Sequence, residues 1–208
     1  MSINASGAPS NKIAYLVVLA GICAALHIWK LPPALPDLQK ELGLSLVESG
    51  FLLSLVQMAG MTLGLVGLFA EKIGLRRCVL VGLLLLSVAS ACGAIVSSKT
   101  ALLLFRALEG CGFLMVTMPA PGLIRRLVQP SVLARLMGVW GCYMPIGTVI
   151  ILLFGSWLLS LADWRVLWWL MAAITFLMLL AVARWIPHDP ERVAGSLAER
   201  KQNSAWNI

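Results

Sequence analysis

Charged side chains are scarce in this chain of 208 residues. Asp, Glu, Lys and Arg make up 12% of it, hydrophobic residues make up 60%, and the mean hydropathy is +0.93. Soluble domains carry about 25% charged and about 45 to 50% apolar residues, so a water-soluble globular domain is excluded. A disordered chain is excluded too, because disorder requires low hydrophobicity. A membrane protein remains.

Histidine and cysteine are also few, with two of the first and five of the second. The histidines, His27 and His188, are far apart, so we expect neither a metal site nor a cofactor. The cysteines lie in or beside apolar runs and form no close pairs, which excludes a disulfide scaffold and favours roles as small packing residues. They are Cys23, Cys78, Cys92, Cys111 and Cys142.

Long apolar runs fill most of the chain. A membrane-spanning helix needs about 20 apolar residues at about 1.5 Å each, and six such runs are separated by short polar breaks. The predicted spans are residues 13–35, 47–70, 78–96, 101–123, 136–159 and 166–183. We therefore predict an all-α membrane protein with an N-terminal tail (1–12), a six-helix bundle (13–186) and a polar C-terminal tail (187–208).

The net charge of +7 is distributed in a way that indicates topology. Most of the 16 Lys and Arg residues fall in loops and tails on the side of the N-terminus, which the positive-inside rule makes cytoplasmic. Both termini are therefore predicted to be cytoplasmic, in a bacterial inner membrane. No basic run has the density of a nucleic-acid-binding patch, so we expect no nucleic-acid partner.

The loop between the second and third predicted spans carries a motif. It reads GLFAEKIGLRR over residues 67–77 and resembles the signature loop of the major facilitator superfamily, G-x-[LF]-A-[DE]-[RK]-x-G-[RK]-[RK]. Leu75 departs from the usual basic residue. The resemblance implies a conformational latch between two halves of a transporter. Its residues here would be Gly67, Glu71, Lys72, Gly74, Arg76 and Arg77.

Other stretches agree with this resemblance. RALEGCG at residues 106–112 is similar to the R-x-x-x-G-x-G pattern of the family's fourth helix, and Trp164-Arg165 is similar to the pair that opens its sixth. The fifth span lacks the glycine and proline spacing of proton-coupled drug antiporters, while the helix ends resemble those of cyanate and nitroimidazole permease-like members. Small residues and proline predict close packing and bending of the helices, at Gly60, Gly64, Gly110, Gly112, Gly138, Gly141, Pro145 and Gly147.

Four ionisable side chains fall within the predicted spans, where a charge costs about 2.5 to 3.5 kcal/mol on insertion scales. His27 and Lys30 share a face of the first helix, and Arg106 and Glu109 share a face of the fourth. The family resemblance implies that helices one and four line the central cavity. All four are therefore candidates for substrate binding or proton coupling.

Each candidate also has a structural interpretation. Arg106 and Glu109 could simply neutralise each other, Lys30 could extend to the membrane surface, and His27 could be a neutral core residue instead of a proton relay. If Lys30 and Arg106 both reach the cavity, they favour an anionic solute.

The resemblance implies secondary active transport of a small solute by alternating access. Superfamily transporters have two six-helix halves with the solute between them, and this chain supplies one. We expect the N-terminal half of a truncated or split transporter, or a half that pairs with a second copy. The expected partners are the lipid bilayer, the solute with a coupling proton, and the second half.

Two other function classes stay open. A non-transporting interaction or regulatory protein, or an inactive truncated transporter, could use the same six helices. An intramembrane serine protease would need a G-x-S-G site, which the segment GLSL at residues 43–46 breaks, and His27 has no evident serine partner. We therefore expect that the chain is not an enzyme.

Overall fold

The computed structural model describes residues 11–58 and 73–188, and the elements of this part are all helical. This confirms the predicted all-α class. In chain order the helices are α1 Asn11–Trp29, α2 Leu31–Leu42, α3 Leu46–Met58, α4 Leu75–Ile95, α5 Lys99–Thr117, α6 Ala120–Leu127, α7 Pro130–Gly141, α8 Tyr143–Ile150, a π-helical turn Ile151–Gly155, α9 Ser156–Leu159 and α10 Trp164–Trp185.

Within the described residues, five helical segments are long and apolar enough to cross a membrane. They are Asn11–Leu42, Leu75–Ile95, Lys99–Leu127, Pro130–Leu159 and Trp164–Trp185. The apolar part of α3, Leu46–Leu55, is shorter, and the remainder of the predicted second span, residues 59–70, lies outside the described residues. The number of six spans therefore stays a prediction.

Proline positions explain how the first segment continues. Pro32 and Pro33 lie in the first turn of α2. Amides of the first turn have no acceptor within the helix, so the missing amide hydrogen of proline costs no helical hydrogen bond there. The segment runs on through Pro36 to Leu42, so the predicted end near residue 35 was wrong. Gly43 terminates it with φ +63°, a left-handed conformation that glycine adopts without strain.

Prolines mark later breaks in the same way. α7 begins at Pro130, directly after a two-residue break, so the predicted polar break over residues 124–135 was too long. Pro145 lies in the first turn of α8 and cannot donate an amide hydrogen to the carbonyl of Gly141. The helix accordingly breaks at Cys142, between α7 and α8.

Two apolar cores fill the two ends of the bundle. The first surrounds the start of α1 and the end of α10, and the second surrounds the end of α1 and the start of α10, so these two helices run antiparallel. Large members of the first core are Leu83, Leu86, Ile124, Leu136 and Trp140. Large members of the second are Leu31, Leu38, Leu102, Trp164 and Trp168.

The α4 and α5 backbones approach each other closely at two glycines. A Cβ atom on Gly82 would lie 2.8 Å from the carbonyl oxygen of Gly112, and one on Gly112 would lie 3.0 Å from the carbonyl oxygen of Gly82. Only glycine fits at both positions without a shift of backbone. This contact fixes the height of α5, and hence of its charged side chains, relative to α4.

Large apolar side chains cover the outside of the later helices. Leu153, Trp157 and Leu177 are more than half exposed, whereas the charged side chains of Lys30, Arg106 and Glu109 are buried. An apolar exterior around a polar interior suits a chain whose solvent is lipid.

Candidate functional site

The four predicted ionisable residues come together in the interior of the bundle. His27 lies near the end of α1, Lys30 at the junction with α2, and Arg106 and Glu109 on α5. All four side chains are buried, with 1% or less of their surface exposed. We call this group the central cluster.

Glu109 is the centre of this cluster. Lys30 Nζ lies 2.5 Å from Oε1, and Arg106 Nη1 lies 2.6 Å from Oε2, so each carboxylate oxygen faces one cation. His27 Nδ1 lies 3.5 Å from Oε1, within ion-pair distance. The predicted pairing of Arg106 with Glu109 is present, and Lys30 turns inward to the same carboxylate instead of extending to the membrane surface.

The charges of the central cluster do not balance. Lys30 and Arg106 carry one positive charge each, Glu109 carries one negative charge, and a neutral His27 carries none. One positive charge therefore has no counter-ion within the cluster as the described residues form it. A buried charge without a partner is costly, which makes the cluster attractive to an anion.

Arg106 also binds the end of α1. Its Nη1 donates to the carbonyl of His27 at 2.7 Å, and its Nη2 lies 3.5 Å from the carbonyl of Ile28. In a regular helix the carbonyl of Ile28 would accept a hydrogen bond from the amide of residue 32. Residue 32 is proline, which has no amide hydrogen. The Arg106 guanidinium thus contacts two carbonyl groups at the junction of α1 and α2.

Three residues that the sequence did not single out complete the surroundings. Lys30 Nζ donates to Ser90 Oγ on α4 at 2.7 Å and lies 4.4 Å from the ring centroid of Trp168 on α10. Thr175 Oγ1, also on α10, lies 2.7 Å from His27 Nε2. Polar residues inside apolar runs were the available signal, but Ser and Thr commonly bond within their own helix, so that signal is weak.

Two polar atoms of the central cluster are buried without an aligned hydrogen-bond partner. They are His27 Nδ1 and Arg106 Nε. Buried polar groups in proteins are normally paired, and an unmade bond costs about 1 to 3 kcal/mol. Both atoms belong to the cluster that has one excess positive charge. The cluster therefore lacks a negative charge and also lacks hydrogen-bond partners for these two atoms.

A second ion-pair group joins α2 to the start of α10. Glu41 accepts hydrogen bonds from Arg165 Nη1 at 2.9 Å and from Trp164 Nε1 at 2.7 Å, and its other oxygen lies 2.6 Å from Arg165 Nη2. Asp163 caps α10 by accepting from the Arg165 amide at 2.7 Å. We call Glu41, Trp164 and Arg165 the Glu41–Arg165 cluster.

The predicted latch loop is described only in part. Gly67, Glu71 and Lys72 lie outside the described residues. Gly74 precedes α4 with φ +98°, which requires glycine. Arg76 is buried and donates to the carbonyls of Ala183 and Ile186 at 2.7 and 2.8 Å, which ties α4 to the end of α10. Arg77 is exposed. The latch role stays a prediction.

The predicted packing residues fall into separate groups. Gly60 and Gly64 lie outside the described residues. Gly110 and Gly112 are buried in α5, and a Cβ on Gly147 would lie 2.6 Å from the Cβ of Ala25. Pro145 coincides with the break before α8. Gly138 and Gly141 would accept a Cβ without any atom within 4 Å, so nothing in the described chain packs against them.

Comparison with known proteins agrees with this architecture. The family described as Major Facilitator Superfamily matches residues 17–208. An uncharacterized MFS-type transporter of Mycobacterium tuberculosis is 26% identical over 177 residues, which is 85% of this chain and 26% of that protein. The puromycin resistance protein of Streptomyces alboniger is 32% identical over 158 residues, which is 75% of this chain and 31% of that protein.

A solved structure shares the fold. It is a bacterial homolog of the human lysosomal transporter Spinster in an inward-facing, occupied conformation, with a TM-score of 0.77 and 17% identity over 88% of this chain and 45% of that one. The chain thus spans about a quarter to a third of the curated relatives and under half of the solved transporter. The Mycobacterium relative is named a transporter, and the solved structure is named a homolog of one. Since the family match covers residues 17–208, the chain belongs to the Major Facilitator Superfamily and is an integral membrane protein.

Proposed function

We propose that the chain is the N-terminal six-helix half of a secondary active transporter that moves a small solute across the membrane by alternating access. The likeness to a part of the solved transporter with a TM-score of 0.77 supports the half-transporter fold. In this proposal both termini are cytoplasmic, the membrane is a bacterial inner membrane, and the second half is another copy or a separate C-terminal bundle.

The observation that carries the proposal is the charge of the central cluster. Two buried cations share one carboxylate, and the family resemblance implies that the first and fourth spans, which carry them, line the solute path. An anionic solute would supply the missing negative charge in a medium of low polarity, where that attraction is strong. We therefore propose a small organic or inorganic anion as the substrate.

His27 is the candidate for the coupling proton. Imidazole exchanges protons near neutral pH, and its Nδ1 faces Glu109 at 3.5 Å. Protonation of His27 adds positive charge beside a carboxylate that two cations already share. A proton and an anion would therefore favour each other's binding, which is the coupling that symport requires.

Drug export is a second candidate function, and the relatives favour it. One relative is named a puromycin resistance protein, and a 24% identical relative of Aspergillus fumigatus is named a multidrug transporter. The fifth helix of this chain lacks the drug-antiporter spacing, which weighs against that function. Puromycin therefore enters the test as a competing solute.

A set of probes that differ in charge but share an aromatic ring tests the solute class. Benzenesulfonate, benzenesulfonamide and phenyltrimethylammonium share an aromatic ring and carry negative, zero and positive charge. We expect only the anion to raise the melting temperature of the chain in nanodiscs and to enter proteoliposomes when an inward proton gradient is imposed. Stabilisation by all three alike, by none, or by puromycin instead would contradict the anion proposal.

Variants of two lysines connect the result to the central cluster. Lys30→Met removes the excess charge and is expected to weaken benzenesulfonate binding about tenfold, equivalent to about 1.4 kcal/mol. Lys40→Met is the matched control, because Lys40 is exposed on α2. Equal effects of the two substitutions would place the anion outside the cluster.

The need for a second half is tested by mass. The oligomeric mass of the purified chain in detergent, corrected for bound detergent, separates a homodimer from a monomer. Flux by a homodimer supports self-pairing, and flux only after addition of a C-terminal bundle supports a split transporter. Absence of flux in both forms would favour a regulatory or inactive protein.

A further inference from the structure

Thr175 uses its hydroxyl differently from Thr117 and Thr148. Thr117 and Thr148 donate to a carbonyl four residues earlier in their own helices, at 2.9 Å. Thr175 is buried in α10, and its Oγ1 instead lies 2.7 Å from His27 Nε2 on α1. A hydroxyl can donate to this nitrogen or accept from it, so its role depends on which ring nitrogen carries the hydrogen.

The other side of the ring decides between these two forms. His27 Nδ1 lies 3.5 Å from Glu109 Oε1. If the hydrogen were on Nε2, the Nδ1 lone pair would face a carboxylate oxygen, and the two would repel. If the hydrogen is on Nδ1, an N–H dipole faces the carboxylate and is attracted to it. Nε2 is then the bare nitrogen, and it accepts a hydrogen bond from the Thr175 hydroxyl.

We infer that Thr175 is a positioning residue that, together with Glu109, holds neutral His27 as the Nδ1–H tautomer and makes Nε2 the atom that takes up a proton. The geometry alone carries the tautomer and the atom. The use of that proton in coupling rests on the proposed function.

The protonation step reverses the direction of the hydrogen bond between His27 and Thr175. An incoming proton bonds to the Nε2 lone pair, and the new N–H donates to Thr175 Oγ1. The Thr175 hydrogen turns away from the ring, because the hydroxyl oxygen now accepts. Thr175 thus satisfies His27 both before and after proton uptake.

Few charged groups surround His27 in this step. Lys30 on α1 and Arg106 and Glu109 on α5 belong to the same cluster. α8 packs against α1 and has Tyr143 as its ionisable side chain, and the sequence holds no charged residue between Glu48 and Glu71. The other charged residues of helices packed on α1 lie outside ion-pair distance of His27. They are Asp37, Lys40, Glu41, Arg76, Arg77, Lys99, Arg125, Arg126, Arg135, Arg165 and Arg184.

Nitrogen-15 NMR of histidine-labelled chain in nanodiscs tests this inference directly. The chain has two histidines, and His188→Gln leaves the signals of His27 alone. We expect neutral His27 to show a protonated Nδ1 and a bare Nε2. A bare Nδ1 with a protonated Nε2 in the His188→Gln chain would overturn the inference without any substitution at Thr175.

Substitutions of Thr175 then test its part. Thr175→Ser keeps the hydroxyl and is expected to leave the titration of His27 in place. Thr175→Val keeps the shape but leaves the charged ring without an acceptor at Nε2, so proton uptake is expected to require a pH about one unit lower. Thr148→Val is the control, because its hydroxyl bonds within α8. Equal titration of the Ser and Val variants of Thr175 would refute the role.

This experiment is independent of transport. It uses no solute, so a chain that moves none of the probes can still show the expected tautomer and titration. Conversely, a chain that carries benzenesulfonate but shows the opposite tautomer would retain the proposed function and lose this inference. If Thr175→Val does not fold, the tautomer of the His188→Gln chain still decides.

Discussion

The central cluster and the Glu41–Arg165 cluster use the same chemistry in different surroundings. In each, both oxygens of a glutamate contact basic groups, and the shortest contacts are 2.5 Å for Lys30 with Glu109 and 2.6 Å for Arg165 with Glu41. The side chains of the central cluster are almost fully buried, whereas 28% of Arg165 and 40% of Glu41 is exposed.

Surroundings, and not contact distance, determine what each cluster contributes. At the exposed cluster water competes for both partners, so the pair contributes under about 1 kcal/mol. In the interior the desolvation of each ion offsets the attraction between them, but removal of one partner leaves a bare charge and costs about 3 to 5 kcal/mol. The Glu41–Arg165 pair is also balanced, whereas the central cluster keeps one excess positive charge. The Glu41–Arg165 cluster is therefore suited to joining helices, and the central cluster is suited to binding an anion.

The largest contrast is expected from the two glutamates. Glu109→Gln should lower the free energy of unfolding by about 3 to 5 kcal/mol, because two buried cations lose their counter-ion. Glu41→Gln makes the same chemical change at a half-exposed site and should cost less than about 1 kcal/mol. Unfolding in mixed detergent micelles, followed by circular dichroism, measures both. Equal losses would remove the distinction between the clusters.

The two arginines should differ by a smaller amount. Arg106→Lys keeps the charge but loses the guanidinium group, which bonds Glu109 and the carbonyl of His27 at the same time. We therefore expect the free energy of unfolding to fall by about 1.5 to 3 kcal/mol. Arg165→Lys keeps an exposed pair and should change stability by less than about 1 kcal/mol. The same unfolding assay applies. A tolerated Arg106→Lys would show that its charge alone matters there.

Much of this architecture could be predicted from the sequence, because its causes are local. Apolar runs of membrane length gave the helices, and the pairs His27 with Lys30 and Arg106 with Glu109 followed from helical spacing and lie together in the interior. Helix ends were predicted less well. Pro32 and Pro130 lie in the first turns of helices that extend beyond the predicted span boundaries, and proline is tolerated there.

The partners of the central cluster could not be predicted, because they come from distant parts of the chain. Ser90 and Thr175 meet Lys30 and His27 only through the packing of α4 and α10 against α1. Nothing in their local sequence distinguishes them from Thr117 and other residues that bond within their own helix. Long-range packing therefore determines which hydroxyl contacts a side chain on another helix instead of a carbonyl of its own helix.

Lys30→Met tests whether the excess charge is needed for folding. Glu109 would keep Arg106 and the cluster would become neutral, while the ion pair of Lys30 with Glu109 and its contacts with Ser90 and Trp168 would be lost. We expect a cost of about 1 to 2 kcal/mol in the unfolding assay, below that of Glu109→Gln. A loss as large as that of Glu109→Gln would mean that both cations stabilise the fold, and the case for an anion site would weaken.

Salt should separate the two clusters with the smallest effect. The screening length falls from about 30 Å at 0.01 M to about 3 Å at 1 M ionic strength. The coupling energy between Glu41 and Arg165, from a double-mutant cycle with Glu41→Gln and Arg165→Gln, should therefore fall by a few tenths of a kcal/mol toward zero at high salt. The coupling between Glu109 and Arg106 should stay unchanged, because ions do not enter a dry interior. A salt-dependent central coupling would instead show that water and ions reach Glu109 from the solute path.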